Sequence, residues 1–422
     1  MMEQIVKPNG GMPMRRRLFS MMLVLSLFCL SARAEIDLST QSPQPTSTPA
    51  PVELSGTALL DAPPMALDCA AALLLEPESG QIIFEMNADS PRAVASVTKV
   101  MTILLTLEAI DDGRVALDDV VTISESAAGM GGSQVLLDVG ETQTVDVLLK
   151  SMIVGSANDA AVALAEVLYG SEELCVDRMN ERAQQLGMAG THFVNCTGLP
   201  ADGQHTTARD VARMSAAMFS HPLYYEYAHI WLDEVDHGDG RVTQLTNTNR
   251  LIRLYDGCDG GKTGSTDEAG YCIAATAQRG DMRLIAIVLG APSGAERFDI
   301  AGEMFDYGFA NYRLYPVAER GTRVRGGLPV EGGSQGSVAV QLDADLTLLI
   351  LKGSEQGIQL SPNLPESLAA PVAAGDRVGS VDVVVDGKTV ASIPVAAAED
   401  VDATGLPYAL RRILSRWPAI GG

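Results

Sequence analysis

A serine and a lysine three positions apart, Ser96 and Lys99, are the first side chains in this sequence whose types and spacing could do chemistry. Both fall at the start of a predicted helix, where residues at i and i+3 share one face with Cβ atoms about 5–6 Å apart. A lysine that is removed from water and lies near another cation can lose its proton and act as a base for the serine. The helix amino terminus also favours negative charge on the serine. By itself the spacing indicates little, because an ordinary exposed pair has it too.

Two further motifs also contain side chains that could take part in catalysis or binding. Ser156 and Asn158 lie between two predicted helices, where a hydroxyl can pass on a proton and an amide can hold a substrate amide, although Ser-x-Asn is as often a helix cap. Lys262, Thr263 and Gly264 stand at the start of a predicted strand. They supply a positive charge, a hydroxyl and a position where a substrate backbone can approach closely. A permanently negative group, such as a C-terminal carboxylate, would suit this trio, and an ordinary loop lysine is the alternative.

The elements that must position these motifs follow from the apolar patterning. A β-hairpin is predicted over 70–85, a turn-linked strand pair over 230–245 and a second hairpin over 271–289. Helices are predicted over 96–110, 145–154, 159–168, 173–186, 208–219 and 295–312. Strands at both ends of a helical block predict one α+β domain, over 61–314, whose sheet is built from both of its ends.

The two ends of the chain have a different texture. Three arginines at 15–17, an apolar run over 18–30 and an A-x-A sequence over 32–34 predict a signal peptide over 1–34, and therefore export to the outer face of the cell membrane. Residues 35–60 read as a linker rich in Pro, Ser and Thr. Short β-rich runs and Gly-rich turns predict a small all-β domain over 315–400.

The last segment, over 401–422, is predicted to be an amphipathic tail. Its apolar residues share one helical face, and no acid follows Asp402 in an otherwise acidic chain. That pattern favours a helix lying on anionic lipid, with a helix docked on its own domain as the alternative. The residues of the apolar face are Leu406, Leu410, Ile413, Leu414 and Trp417.

Composition excludes several classes of protein. The 422 residues carry 30 Lys and Arg against 53 Asp and Glu, a net charge of −23 that disfavours nucleic-acid binding. The five histidines show no metal-binding spacing, so no metal is expected. Past the signal peptide five cysteines remain, and a disulfide between Cys258 and Cys272 and free buried thiols are equally open. A G-x-S-x-G match around Ser334 lies among Gly-rich turns with no helix following, which predicts a turn rather than a nucleophile.

Taken together, the three motifs are far more specific than any one of them. S-x-x-K, S-x-N and K-T-G occur in this order and use two of only six lysines. This is the signature of penicillin-binding proteins and class A β-lactamases, with Ala157 at a position where an aspartate is usual. The chain resembles the low-molecular-mass penicillin-binding proteins that are D-alanyl-D-alanine carboxypeptidases. The resemblance covers essentially the whole chain after residue 34, including its β-rich domain and its tail.

The resemblance implies a role for each motif residue. Ser96 would be the acyl-ester nucleophile and Lys99 its general base. Ser156 would relay a proton to the departing amine, and Asn158 would orient the substrate amide. The implied substrate is a peptidoglycan stem peptide ending in D-Ala-D-Ala.

The third motif would bind the end of that substrate. Lys262 would provide electrostatic control, Thr263 would bind the terminal carboxylate, and Gly264 would let the substrate backbone approach. The backbone N–H groups of Ser96 and Ser265 would bind the oxyanion. No cofactor is implied, and β-lactams would acylate the serine as inhibitors.

Three alternatives stay open. A class A β-lactamase needs a glutamate after the second motif for deacylation, and the sequence has no Glu or Asp between Gly187 and Pro200. A D,D-endopeptidase that cuts cross-links would use the same three motifs. A non-catalytic cell-wall scaffold is disfavoured by the intact motifs.

Overall fold

The computed structural model describes residues 55–57, 65–385, 387–406, 410 and 413. The predicted signal peptide over 1–34 lies outside these residues, as do most of the predicted linker and most of the predicted tail. In the described part of the chain, no helix combines the length and the apolar character that crossing a membrane would require.

The helices are α1 (Lys99–Asp111), α2 (Glu125–Ala128), α3 (Val145–Val154), α4 (Asn158–Tyr169), α5 (Glu172–Gln185), α6 (Ala208–Phe219), α7 (Pro222–Ala228), α8 (Leu251–Leu254) and α9 (Glu296–Asn311). The first strands are β1 (Ser55–Thr57), β2 (Ala71–Glu76), β3 (Gln81–Met86), β4 (Val120–Thr122), β5 (Thr142–Thr144), β6 (Leu232–Asp236), β7 (Val242–Thr246), β8 (Cys258–Thr266), β9 (Gly270–Arg279) and β10 (Met282–Ala291). The remaining strands are β11 (Tyr312–Ala318), β12 (Arg323–Glu331), β13 (Ser337–Leu342), β14 (Leu346–Leu351), β15 (Ile358–Asn363), β16 (Leu368–Ala369), β17 (Arg377–Val385) and β18 (Lys388–Ala397).

The central sheet joins the two ends of the first domain. Its strand order is β1-β3-β2-β10-β9-β8, and its neighbours are antiparallel except for β1, which runs parallel to β3. The prediction of an α+β sheet built from both ends is therefore confirmed. Strand β1 falls within the segment predicted as linker, so part of that segment forms an edge of the sheet.

Strand β10 shows why helices pack on both faces of the central sheet. Successive side chains of a strand point to opposite faces, so a strand that is buried on both faces is apolar without interruption. Ile285, Ile287 and Leu289 belong to the core formed with the block of helices from α1 to α7. The residues between them pack on the other face, against Phe298 and Phe305 of α9.

The β-rich region forms a second, separate set of β-sheets. Its larger sheet has the order β15-β17-β18-β13-β12-β16, and β11 pairs with β14 beside it. Strand β11 begins at Tyr312, which is buried with the residues of α9, slightly before the predicted boundary at 315. Lys352 Nζ donates to the carbonyl of Phe309 over 2.6 Å, which ties the β-rich region to the end of that helix.

One detail differs from the sequence prediction, and the disulfide that the sequence left open is not formed. Lys262, Thr263 and Gly264 lie in the middle of β8 and not at its start, because a glycine-rich run that reads as a turn pairs with β9 as a strand. No disulfide joins the cysteines of the described residues. In the β8–β9 ladder Cys258 lies opposite Ala277 and Cys272 lies opposite Gly264, so the two thiols are at opposite ends and too far apart for a bridge.

Candidate active site

Ser96 lies in a tight turn directly before α1. Residues Ala95–Thr98 form a 3-10 turn, and Ala95 has a φ of 49°, in the left-handed region that non-glycine residues rarely adopt. Two glycines allow neighbouring segments to approach this turn. A Cβ on Gly264 would lie 2.8 Å from Ser96 N, and a Cβ on Gly198 would lie 1.9 Å from the carbonyl oxygen of Ala95. The turn is therefore held between β8 and the loop that contains Gly198.

Lys99 is completely buried at the first position of α1. Its Nζ lies 3.1 Å from Ser96 Oγ, and it donates to the carbonyl of Thr197 over 2.6 Å and to Asn158 Oδ1. Burial lowers the pKa of Lys99 to about 7, and the negative charge of Asp159 is among the groups that act in the opposite direction. A lysine in this state exchanges its proton near neutral pH.

Ser156 and Lys262 form the second contact of the site. Ser156 has a φ of 61° in the turn between α3 and α4, and its Oγ accepts a hydrogen bond of 2.7 Å from Lys262 Nζ. The ammonium also donates to the carbonyl of Thr263 over 3.0 Å. Burial holds the pKa of Lys262 well below its usual range, and the charges of Lys99 and Arg297 lower it further.

Asn158 is held by hydrogen bonds from both its backbone and its side chain. Its backbone N–H donates to Ser133 O over 2.7 Å, and its Nδ2 donates to Gly131 O over 2.6 Å. A Cβ on Gly132 would lie 2.8 Å from that Nδ2, so the loop must carry a glycine there. These bonds leave Oδ1 facing Lys99 Nζ.

The third motif forms part of an edge strand. Thr263 is buried and pairs with Ile273, while Ser265 is exposed one position beyond Gly264. The carbonyl of Gly264 accepts a hydrogen bond of 3.1 Å from Arg297 Nη1. The structure thus brings Lys99 to Ser96, Asn158 to Lys99 and Lys262 to Ser156. It also places β8 against the turn of Ser96.

Three contributors to the site were not found from the sequence. The buried carboxylate of Asp159 accepts hydrogen bonds from the N–H groups of Val135 and Leu137, at 3.1 Å and 3.2 Å, and so fastens the loop beside Asn158. The carbonyl of Thr197 binds Lys99, and Arg297 reaches β8 from α9. The sequence contains a signal for Asp159, because an acid stands out in an alanine-rich helix. A backbone carbonyl such as that of Thr197 has no signature in the sequence.

Among the described residues, no three His, Cys, Asp or Glu side chains are arranged to hold a metal ion. The amine of Lys99 lies between the hydroxyl of Ser96 and the amide of Asn158. Such a set is suited to nucleophilic attack on a carbonyl, with the amine as the base.

Comparison with known proteins agrees with this geometry. The family model described as D-alanyl-D-alanine carboxypeptidase matches residues 58–293, and the model of the penicillin-binding protein 5 C-terminal domain matches residues 312–403. The D-alanyl-D-alanine carboxypeptidase DacF of Bacillus subtilis strain 168 is 36% identical over 354 residues, which are 84% of this chain and 91% of DacF.

The solved structures that this chain resembles are also penicillin-binding proteins. Penicillin binding protein 5 from Haemophilus influenzae superposes with a TM-score of 0.72 at 31% identity, over 81% of this chain and 99% of that one. Penicillin-binding protein D2 from Listeria monocytogenes, solved in its ampicillin-bound form, superposes with a TM-score of 0.52 at 34% identity, over 58% of this chain and 100% of that one.

The fold and the site define a penicillin-binding type of serine peptidase. The chain belongs to the D-alanyl-D-alanine carboxypeptidase family. The family resemblance and the fold class predicted from the sequence are both confirmed.

Proposed function

We propose that this protein removes the terminal D-alanine from peptidoglycan stem peptides ending in D-Ala-D-Ala, through an acyl-enzyme on Ser96. The observation that carries the proposal is the position of Lys99. Its amine is completely buried, lies 3.1 Å from Ser96 Oγ and has a pKa of about 7.

The hydrogen-bond partners of Lys99 fit a neutral amine that acts as a base. A neutral amine has two N–H donors and one lone pair. The carbonyl of Thr197 and Asn158 Oδ1 can only accept, so they take the two donors. The lone pair is then left for the hydroxyl proton of Ser96. Attack of Ser96 Oγ on the peptide carbonyl transfers this proton to Lys99 and forms the tetrahedral intermediate.

The remaining roles are proposed from the family resemblance and the positions of the residues. The backbone N–H groups of Ser96 and Ser265 would bind the oxyanion. Ser156, which accepts from Lys262, would return a proton to the departing D-alanine amine. Asn158 would orient the substrate amide.

The terminal carboxylate of the substrate would bind at Thr263 and Lys262. An anion beside a buried amine favours its charged form, so substrate binding would raise the pKa that burial has lowered in Lys262. Selectivity for a free carboxylate follows, because a substrate without that anion leaves the Lys262 amine neutral and without a charged partner. β-Lactams would acylate Ser96 in place of the dipeptide.

A titration with a fluorescent penicillin tests this assignment. The protein from Glu35 onward should form one stable covalent adduct, and Ser96→Ala should form none. Ser334→Ala, at the G-x-S-x-G turn of the β-rich region, is the matched control and should form the adduct normally. Release of D-alanine from an acyl-D-Ala-D-Ala peptide should follow the same pattern. Rapid turnover of the penicillin without an adduct would instead indicate a β-lactamase.

We also propose that the protein is exported and held at the outer face of the cell membrane by its tail. Supporting this, the described tail residues Leu406, Leu410 and Ile413 are helical and exposed. The rest of the argument is the run of sequence without acids after Asp402. The chain from Glu35 should float with vesicles containing anionic lipid, and a chain ending at Gly405 should not. Equal flotation of both would contradict the proposal.

A further inference from the structure

Two histidines that are separated in the sequence lie side by side in the fold. His192 and His205 form an antiparallel bridge, in which the N–H of His192 donates to the carbonyl of His205 over 2.9 Å and the N–H of His205 donates back over 3.0 Å. Side chains paired in this way lie on one face of the ladder, with Cβ atoms about 4.5–5.5 Å apart. The two imidazole rings accordingly have centroids 6.3 Å apart. The spacing of the histidines along the sequence does not show this pair.

The hydrogen bonds of the pair leave a metal-binding nitrogen available on each ring. His205 Nδ1 lies 2.8 Å from the carbonyl oxygen of Gly203, which can only accept, so in the neutral ring Nδ1 carries the proton and Nε2 the lone pair. Histidines that bind metal ions are typically oriented in this way, because they donate their other N–H to a carbonyl or a carboxylate. The ring of His192 is exposed, and it forms no hydrogen bond within the described part of the chain.

The separation of the rings suits a single ion. Zn²⁺ binds an imidazole nitrogen at about 2.0–2.1 Å, which places the centroid of that ring about 3 Å from the ion. Two rings on one ion therefore have centroids up to about 6 Å apart. A small rotation of the exposed His192 side chain would bring the observed 6.3 Å into this range. Water would fill the other coordination positions, since no third His, Cys, Asp or Glu of the described residues completes the set.

The histidine pair closes the loop that reaches Lys99. Beside the pair, Gln204 Oε1 accepts from the N–H of Asn195 over 2.9 Å. Asn195 Oδ1 in turn accepts from the N–H groups of Thr197 and Gly198, at 3.2 Å and 2.7 Å. The carbonyl of Thr197 accepts from Lys99 Nζ. A continuous set of hydrogen-bonded residues therefore leads from the histidine pair to the amine of Lys99.

We infer that His192 and His205 bind one divalent transition-metal ion, of the type of Zn²⁺ or Cu²⁺, through their Nε2 atoms, and that the bound ion stabilises the loop over 193–204. The ion takes no part in the proposed reaction, and the inference does not depend on that reaction. Imidazole nitrogen suits Zn²⁺ and Cu²⁺, whereas Mg²⁺ and Ca²⁺ prefer oxygen ligands. The net charge of −23 attracts any cation, so selectivity has to come from the two nitrogens.

The test is a calorimetric titration of the protein from Glu35 onward, without a histidine tag, with Zn²⁺ alone as the probe. The variants are His192→Ala and His205→Ala, which keep the backbone bridge, and His229→Ala. His229 is the matched control, because it is exposed and its Nδ1 also contacts a backbone carbonyl, that of Tyr225, but it has no ring contact with a second histidine of the described residues. A titration with Mg²⁺ measures the unspecific attraction, and acylation by a fluorescent penicillin reports on folding in every sample.

We expect one Zn²⁺ to bind per chain, at least about tenfold more weakly in His192→Ala and in His205→Ala, and with unchanged affinity in His229→Ala. Cu²⁺ bound to the parent should show hyperfine coupling to two imidazole nitrogens in its electron paramagnetic resonance spectrum. Saturation with Zn²⁺ should slow hydrogen exchange of the amides over 193–204 in the parent and leave it unchanged in His192→Ala.

Equal affinity for Zn²⁺ in the parent and in both alanine variants of the pair would overturn the inference, as would a loss of the same size in His229→Ala. Binding of Zn²⁺ at the pair without slower exchange would refute the effect on the loop. Absence of penicillin acylation in a folded parent would instead refute the proposed function and leave the metal site unaffected.

Discussion

A Cβ atom on Gly264 would lie 2.8 Å from the backbone nitrogen of Ser96 and 2.5 Å from the carbonyl oxygen of Val94. The third motif and the turn of the first motif therefore touch through their backbones. The position of Ser96 relative to β8 depends on the absence of one side chain.

Gly264→Ala should consequently move the turn of Ser96 away from β8. The N–H groups of Ser96 and Ser265 would no longer converge on one oxyanion, and loss of one such donor costs about 100- to 1,000-fold in rate. We expect acylation by penicillin to slow by at least about 100-fold. Gly336→Ala, where a Cβ meets nothing within 4 Å, is the control and should acylate normally. A normal rate in Gly264→Ala would contradict the proposed oxyanion site.

The pKa of about 7 at Lys99 predicts a pH dependence. Only the neutral amine can accept the proton of Ser96, and protonation removes that form as the pH falls. The acylation rate should be level above the pKa and fall about tenfold per pH unit well below it. The measurement is stopped-flow acylation between pH 5 and 9 with a penicillin whose own charge is constant. A rate that is independent of pH over this range would exclude Lys99 as the base.

Lys99→Arg should slow acylation strongly although it replaces one long basic side chain by another. A guanidinium stays protonated in proteins and cannot act as a base, so the loss should be about 100- to 10,000-fold at every pH. The control is Lys150→Arg, since Lys150 only forms an ion pair with Asp233 at 2.7 Å. Recovery of the Lys99→Arg rate at high pH would contradict this assignment.

Asp159→Asn should shift the pH profile to lower pH. The negative charge of Asp159 raises the pKa of Lys99 against the larger effect of burial, so removing that charge lowers the pKa further. The amine would then stay neutral to a lower pH, and the acid limb of the acylation profile would move down. Asp299→Asn, exposed on α9, should leave the limb in place. A shift of the limb to higher pH would refute this electrostatic role.

The buried ion pair between α5 and α1 should stabilise the fold more than an exposed ion pair within α5 does. Arg182 Nη2 lies 2.8 Å from Glu108 Oε1, with side chains that are only 4% and 7% exposed. Arg182→Met leaves a buried carboxylate unpaired and should cost about 3–5 kcal/mol in urea unfolding. Arg178→Met breaks the exposed pair with Glu181 and should cost less than about 1 kcal/mol. Equal effects would show that burial does not determine the value of these pairs.

Much of the fold was predictable because the signals are local. The hairpin of β2 and β3 and the helix α3 (Val145–Val154) follow from apolar periodicity and from turn residues within a few positions. The extent of β8 was not predictable, because its glycines read as a turn and only pairing with β9 makes them a strand.

The chemical groups of the site can be read directly from the sequence. So can the helical face that Ser96 and Lys99 share, since i, i+3 geometry needs no tertiary contact. It could not determine the state of that lysine. The low pKa of Lys99 comes from burial by segments far along the chain, two of which supply Asn158 and the carbonyl of Thr197. A cleft lined by Arg250, Arg253 and Arg297 is likewise assembled from α9 and from the segment before β8. Burial is a collective property of packing, so it arises only when segments that are distant in the sequence come together.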